Sequence, residues 1–369
     1  MKGSRLYFID AVRAFAILMM LQGHFIHTLL APSYRDASNI FFQVWTYFRG
    51  ITAPIFFTIS GLIFTYLLLK AKQHGTLQKR MRKGLIRGLM LIGIGYLLRI
   101  NIFDWLDGRF YNTIFIIDVL QCIGFSLIAL VFSYKLILRK TRYFSILMLV
   151  FGVTIFITEP LYRFLELPHI PTFLSNYVSK TNGSIFTILP WFGYVAFGAF
   201  IATLFYRYLE RPRFKLVIVS SFFSVGLFLI LKSSWLCLSL YNLLDVELLK
   251  EVAYYNYLFS RLGDVLVLFA LFYIAEAYIK QPLVLKIGQK TLSIYVIHFI
   301  LLYGSFTGTG LHQLIGKTLL PWQAITGALL FLSIVCFISF YYAKTNAFVY
   351  AKMRRLIEKI KAFKGSSNL

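Results

Sequence analysis

Apolar runs of about twenty residues recur along the whole chain, each long enough to carry a helix across the roughly 30 Å hydrocarbon core of a bilayer. Within lipid, backbone N–H and C=O groups must find partners inside their own segment, which makes runs of this length helices. The runs define ten spans, at 7–31, 41–69, 85–103, 113–134, 143–162, 185–206, 214–235, 256–279, 287–305 and 320–343. The expected fold is all-α, a polytopic membrane helix bundle. The second run is long enough to tilt or break, and Pro54 shortly after Gly50 is the expected break.

Composition agrees. Hydrophobic residues make up 59% of the chain and aromatics 18%, with a mean hydropathy of +0.73, whereas soluble domains are about 45–50% apolar. The formal net charge of +24 would point to nucleic acid on a soluble domain, but here the Lys and Arg fall in short loops between apolar runs. No nucleic-acid partner is expected.

The loops set the orientation. Those after even-numbered spans hold Lys70, Lys72, Lys79, Arg80, Arg82 and Lys83, then Lys135, Arg139, Lys140 and Arg142, then Arg207, Arg211, Arg213 and Lys215, then Lys280, Lys286 and Lys290. Those after odd-numbered spans carry Asp36, Asp104, Asp107, Glu166, Asp245, Glu247 and Glu251 with few basic residues. This alternation puts both termini in the cytoplasm. The outer loops 163–184 and 236–255 are short, so recognition of an outer substrate falls to loops and span ends.

Residues 1–350 read as one transmembrane domain and 351–369 as a basic amphipathic cytoplasmic tail, with Met353, Leu356, Ile357 and Ile360 on one face among lysines and arginines. The first thirty residues imitate a secretory signal, but Asp10 and Arg13 interrupt the run and no small-x-small cleavage site follows, so a retained span is expected. Cys122, Cys237 and Cys336 have no metal-like spacing and read as core residues; no metal site is expected.

The first span, RLYFIDAVRAFAILMMLQGHFIHTLL, carries Asp10, Arg13, His24 and His27, each costly in hydrocarbon unless it faces protein or water. Arg13 and His24 are eleven positions apart, within about 20° of one another around the helix and roughly 16 Å apart along it. With Ile17 and Met20 they form one stripe that should face the bundle. His24, His27, Arg49, Arg99, Asp118, Arg261 and Asp264 fall in outer halves of spans, His298 near the middle of its span, and Asp10, Arg13, Arg87 and Glu276 in inner halves. Arg261 and Asp264 have the i, i+3 spacing of an ion pair, which alone would account for them. Histidine is the usual general acid or base, which makes His24 the leading candidate. His298, in GQKTLSIYVIH, is either a second such group or a histidine that orients a partner.

The segment IDAVRAFAILMMLQGH resembles the opening signature of integral-membrane acyltransferases, the superfamily that holds acyltransferase family 3 and the heparan-alpha-glucosaminide N-acetyltransferase catalytic domain. The resemblance continues through FRGITAPIFFTISGLIF with Ser60 and Gly61, RMRKGLIRG, IIDVLQCIG, ILPWFGYVAFG and IGQKTLSIYVIH. Ala14 stands where the family commonly has glycine, and Cys122 where it often has arginine.

This resemblance implies transfer of an acyl group, commonly acetyl, from cytoplasmic acyl-coenzyme A to a sugar, glycan or lipid-linked acceptor at the outer side. It assigns His24, Asp10 and His298 to catalysis, with His24 as general base or acyl carrier. Arg13, Arg49, Arg82 and Arg87 would hold the coenzyme, and Asp118, Gln121, Arg261, Asp264 and Tyr295 the acceptor. Tyr295, Ser60, Gln121 and His298 are the candidate oxyanion donors. Localisation to a bacterial cytoplasmic membrane follows by analogy, and homo-oligomerisation is left open. The competing class is a proton-coupled transporter or flippase, in which the same buried charges would form a relay.

Overall fold

The computed structural model describes residues 6–341. The amphipathic tail lies outside the described residues. Eleven helices carry the architecture: α1 (Tyr7–Leu29), α2 (Ile40–Gln73), α3 (Leu77–Leu97), α4 (Val119–Leu136), α5 (Thr141–Ile157), α6 (Ile188–Tyr208), α7 (Phe214–Leu244), α8 (Tyr257–Ile274), α9 (Pro282–Gln289), α10 (Thr291–Tyr303) and α11 (Pro321–Tyr341). The chain is an all-α polytopic bundle. Among the described residues seven helices are long and apolar enough to cross a membrane, and an eighth span forms if α9 and α10 count together. The other two expected spans are helices of a different kind: α3 begins in the basic run from Lys79 to Lys83, and α5 has 17 residues.

The ninth expected span is not straight. α9 and α10 meet at Lys290 with a bend of 70°. Conversely, α2 runs through Pro54 without the expected break. Proline lacks the N–H that would bond the carbonyl four residues back, and here that carbonyl, on Gly50, accepts from the Tyr257 hydroxyl at 3.3 Å. Tertiary contact replaces the lost helical bond, so the helix continues.

α1 lies at the centre. Phe8, Val12, Ala16, Ile17, Leu21 and Leu29 are all buried, as expected of a helix surrounded by α2, α8, α9 and α10. Large apolar side chains on α7 and α11, including Leu231, Trp235, Trp322 and Phe337, remain exposed, the pattern of helices whose outer faces meet lipid.

The closest crossing is α2 against α6. A Cβ on Gly61 would overlap the Val195 carbonyl, and one on Gly198 would overlap the Thr58 carbonyl. Both helix backbones approach there as only glycine permits. A similar approach of Gly288 to the Asp10 carbonyl seats α9 on the first turns of α1. That contact fixes where the bend, and hence α10, meets Arg13.

Candidate functional site

Two cavities lie against the polar stripe of α1, one toward the basic loops and one toward the opposite end. The first, of about 300 Å³, is lined by Arg13, Ser60, Arg80, Arg87, Thr291 and Tyr295 among apolar neighbours. Arg13 is tied on two sides: its Nη2 donates to Thr291 Oγ1 at 2.7 Å, and its Nη1 lies 3.6 Å from an Asp10 carboxylate oxygen. Thr291 can reach it because it is the first residue after the bend at Lys290. Arg80 reaches in from α3 with its Nε buried and without a hydrogen-bond partner. Its guanidinium lies 5.9 Å from the Phe64 ring.

The arginine assignments change accordingly. Arg87 and Arg80 line this cavity, whereas Arg82 is exposed and does not. Residues 80 and 87 are seven apart and share a helix face, while residue 82 projects about 160° away. That spacing was available in the sequence. Arg49 does not line this cavity either. Its side chain packs on Gly23 of α1, next to His24, and its guanidinium lies 5.4 Å from the Trp45 ring.

The second cavity, of about 440 Å³, is lined by His24, Arg99, Asn101, Asp118, Tyr303 and Ser305, with Val119 and Tyr295. Val119 and Tyr295 also line the first cavity, so these two residues form the shared wall. Loops complete the mouth: Ile102 N–H donates to the Phe306 carbonyl and Phe306 N–H to the Ile100 carbonyl, each at 2.9 Å. Ser305 Oγ is buried without a partner.

Behind the wall of this cavity, His24 meets His298. His24 Nδ1 lies 3.1 Å from His298 Nε2, and His298 Nδ1 lies 2.5 Å from the Tyr295 carbonyl oxygen. A carbonyl can only accept, so His298 Nδ1 carries the proton and its Nε2 has the lone pair. His24 Nδ1 then donates to that lone pair, and His24 Nε2 is left as the unprotonated nitrogen. The tautomers follow from one carbonyl. His298 has no exposed surface and lies behind His24.

Asp118 lines the same cavity, paired with Arg99 at 2.6 Å. Gln121 does not line it. Its side chain accepts from the Asp118 N–H at 3.2 Å, capping α4, and the residue is wholly buried against Gly95. Arg261 and Asp264 line neither cavity. They bond each other at 2.9 Å on α8, Tyr47 donates to Asp264 at 2.5 Å, and the Arg261 guanidinium lies 4.3 Å from the Tyr47 ring. This is the local ion pair that their spacing allowed. Among the described residues no three His, Cys, Asp or Glu side chains converge as a metal site would require.

The fold and these cavities define a polytopic membrane protein whose first span carries a partly buried arginine and a partly buried histidine on either side of a shared wall. Residues 5–242 match the family model described as heparan-alpha-glucosaminide N-acetyltransferase, catalytic. The match covers more than half of the chain, and the protein belongs to that family, a family of membrane acetyltransferases. No curated protein matches the chain. The match ends before α8, so Thr291, Tyr295 and His298 reach the site from beyond it.

Proposed function

We propose that the protein moves an acyl group, of which acetyl is the family's own, from cytoplasmic acyl-coenzyme A to a sugar or glycan-type acceptor at the outer side. The observation that carries this reading is the pair of cavities abutting at Val119 and Tyr295, one cationic and one holding an imidazole with a free lone pair.

Arg80 and Arg87 hold the phosphates of the coenzyme, for which planar guanidinium groups offer paired hydrogen bonds. Arg13, fixed by Thr291 and Asp10, sits further in and holds the pantetheine arm. The thioester then lies at the shared wall. An acceptor hydroxyl or amine in the second cavity attacks the thioester carbonyl while His24 Nε2 takes its proton. The new C–O or C–N bond forms, the C–S bond breaks, and the proton on His24 passes to the departing thiolate. Tyr295, on the wall itself, is the donor best placed for the oxyanion. Asp10 acts only through Arg13, as a positioning residue.

The test is transfer of isotope-labelled acetyl from acetyl-coenzyme A to a panel of sugars by the purified full chain in lipid nanodiscs. The expected result is label on the sugar, lost in His24→Ala. Binding of acetyl-coenzyme A without transfer or hydrolysis, in a protein that moves a solute across liposomes, would favour the transporter class instead.

A further inference from the structure

A third cavity, of about 400 Å³, opens beside the His24 cavity. It is built by the short helix Glu159–Tyr162 that follows α5, the first turn of α6, the segment leading into α8 and the loop between residues 163 and 187. Its polar and aromatic lining comprises Glu159, Lys180, Ser184, Trp191, Tyr255 and Tyr257. Ile185 lines both this cavity and the one that holds His24. Ile185 is 64% exposed, so it forms a low sill between the two spaces and not a sealed wall.

The sill is rigidly mounted. Trp191 Nε1 donates to the Ile185 carbonyl at 3.0 Å, and Ser184 Oγ accepts from the Ile117 N–H at 2.9 Å, immediately before Asp118 of the His24 cavity. The two spaces are therefore held in fixed register by the same loop.

The third cavity has the equipment for a polyhydroxylated ring. Glu159 is 5% exposed and receives Arg163 Nε through both oxygens, at 3.0 and 2.9 Å, yet a carboxylate has lone pairs enough to accept further bonds. Lys180 supplies an ammonium group with three donors. The Arg163 guanidinium covers one face of the Tyr255 ring at 4.2 Å, and Tyr255 is still 54% exposed, which leaves ring surface for the C–H face of a sugar. Hydrogen-bonding groups of both kinds beside an open aromatic face suit a pyranose far better than a lipid tail or a flat heterocycle.

We propose that the acceptor is at least two rings long, with the reacting ring in the His24 cavity and its neighbour across the Ile185 sill against Tyr255, Glu159 and Lys180. This rests on the acyltransferase reading and adds the size of the acceptor to it. The neighbouring ring contributes binding only, and no bond forms or breaks there.

The experiment measures kcat/KM for acetyl transfer by the purified full chain in nanodiscs to glucosamine and glucose and to their α- and β-linked dimers. The expected result is a preference of at least about tenfold for a dimer over its monomer. In Tyr255→Ala and in Lys180→Ala, both exposed residues away from the reacting groups, that preference falls toward one while transfer to the monomer is unchanged. Equal kcat/KM for every monomer and dimer, or an undiminished preference in both variants, would overturn the proposal while monomer transfer still supports the acyltransferase reading. Absence of label on any sugar would overturn both.

Discussion

The two cavities on either side of Tyr295 treat charge in opposite ways. In the one toward the basic loops, guanidinium groups from Arg13, Arg80 and Arg87 face a common space, and Arg80 has a buried Nε with no partner. In the other, Arg99 is closed onto Asp118 at 2.6 Å, and His24 is held in one tautomer by His298 behind it. Arg13 has Asp10, but burying part of the Arg80 guanidinium without a counter-ion is expensive, so the first arrangement is suited to a polyanion that completes it. Paired charge and a lone-pair nitrogen suit a neutral or weakly charged nucleophile. The difference supports the proposed placement of donor and acceptor on separate sides without reference to any motif.

That contrast can be broken or sharpened by substitution. The largest effect is expected from His24→Ala, which removes the lone-pair nitrogen and should lower kcat by about 10²–10⁴ with donor affinity unchanged. Titration with acetyl-coenzyme A beside single-turnover transfer separates the two quantities; a loss of donor affinity equal to the loss of rate would merge the two cavities into one. Next in size is Asp264→Ala. It leaves Arg261 buried without its partner and should cost about 3–5 kcal/mol of stability, seen as a lower thermal midpoint in detergent, with kcat/KM per folded molecule preserved. A specific loss of turnover there would return this ion pair to the site.

Arg80→Ala removes a charged donor aimed into the cationic cavity. It should raise the KM for acetyl-coenzyme A by about tenfold to a hundredfold, the equivalent of about 1.5–3 kcal/mol, with kcat little changed. Arg82→Ala, two residues on and exposed, should leave both constants within about twofold, in keeping with the small worth of surface charges. Equal effects from the two arginines would mean that the basic loop acts by its net charge alone and that the cavity does not select among its cations.

Much of this organisation was legible in the amino-acid sequence. Helix periodicity alone places Arg13 and His24 on one stripe, because both the 3.6-residue turn and the cost of charge in lipid are strong constraints. Positions that depend on a partner helix were not legible. Pro54 looked like a break because nothing local reveals that Tyr257, two hundred residues later, supplies the missing donor to Gly50. The 70° bend at Lys290 was hidden inside a run apolar enough to pass for one span, and it is this bend that delivers Thr291 to Arg13. Gln121 looked like a substrate ligand, whereas its spacing three residues after Asp118 is also that of a helix cap, and the cap is what forms. Arg82 adds the same charge to the loop as Arg80, but only Arg80 shares a helix face with Arg87.

The stripe on α1 joins a donor site to an acceptor site only if acyl-coenzyme A occupies the arginine cavity with its thioester at the shared wall. A cryo-electron microscopy structure of the protein in nanodiscs with a non-hydrolysable acetyl-coenzyme A analogue measures this directly. The phosphates should lie against Arg80 and Arg87, the pantetheine arm along Arg13, and the thioester carbonyl between Val119 and Tyr295. Coenzyme bound in the His24 cavity, or outside both cavities with its thioester away from Tyr295, would contradict the account.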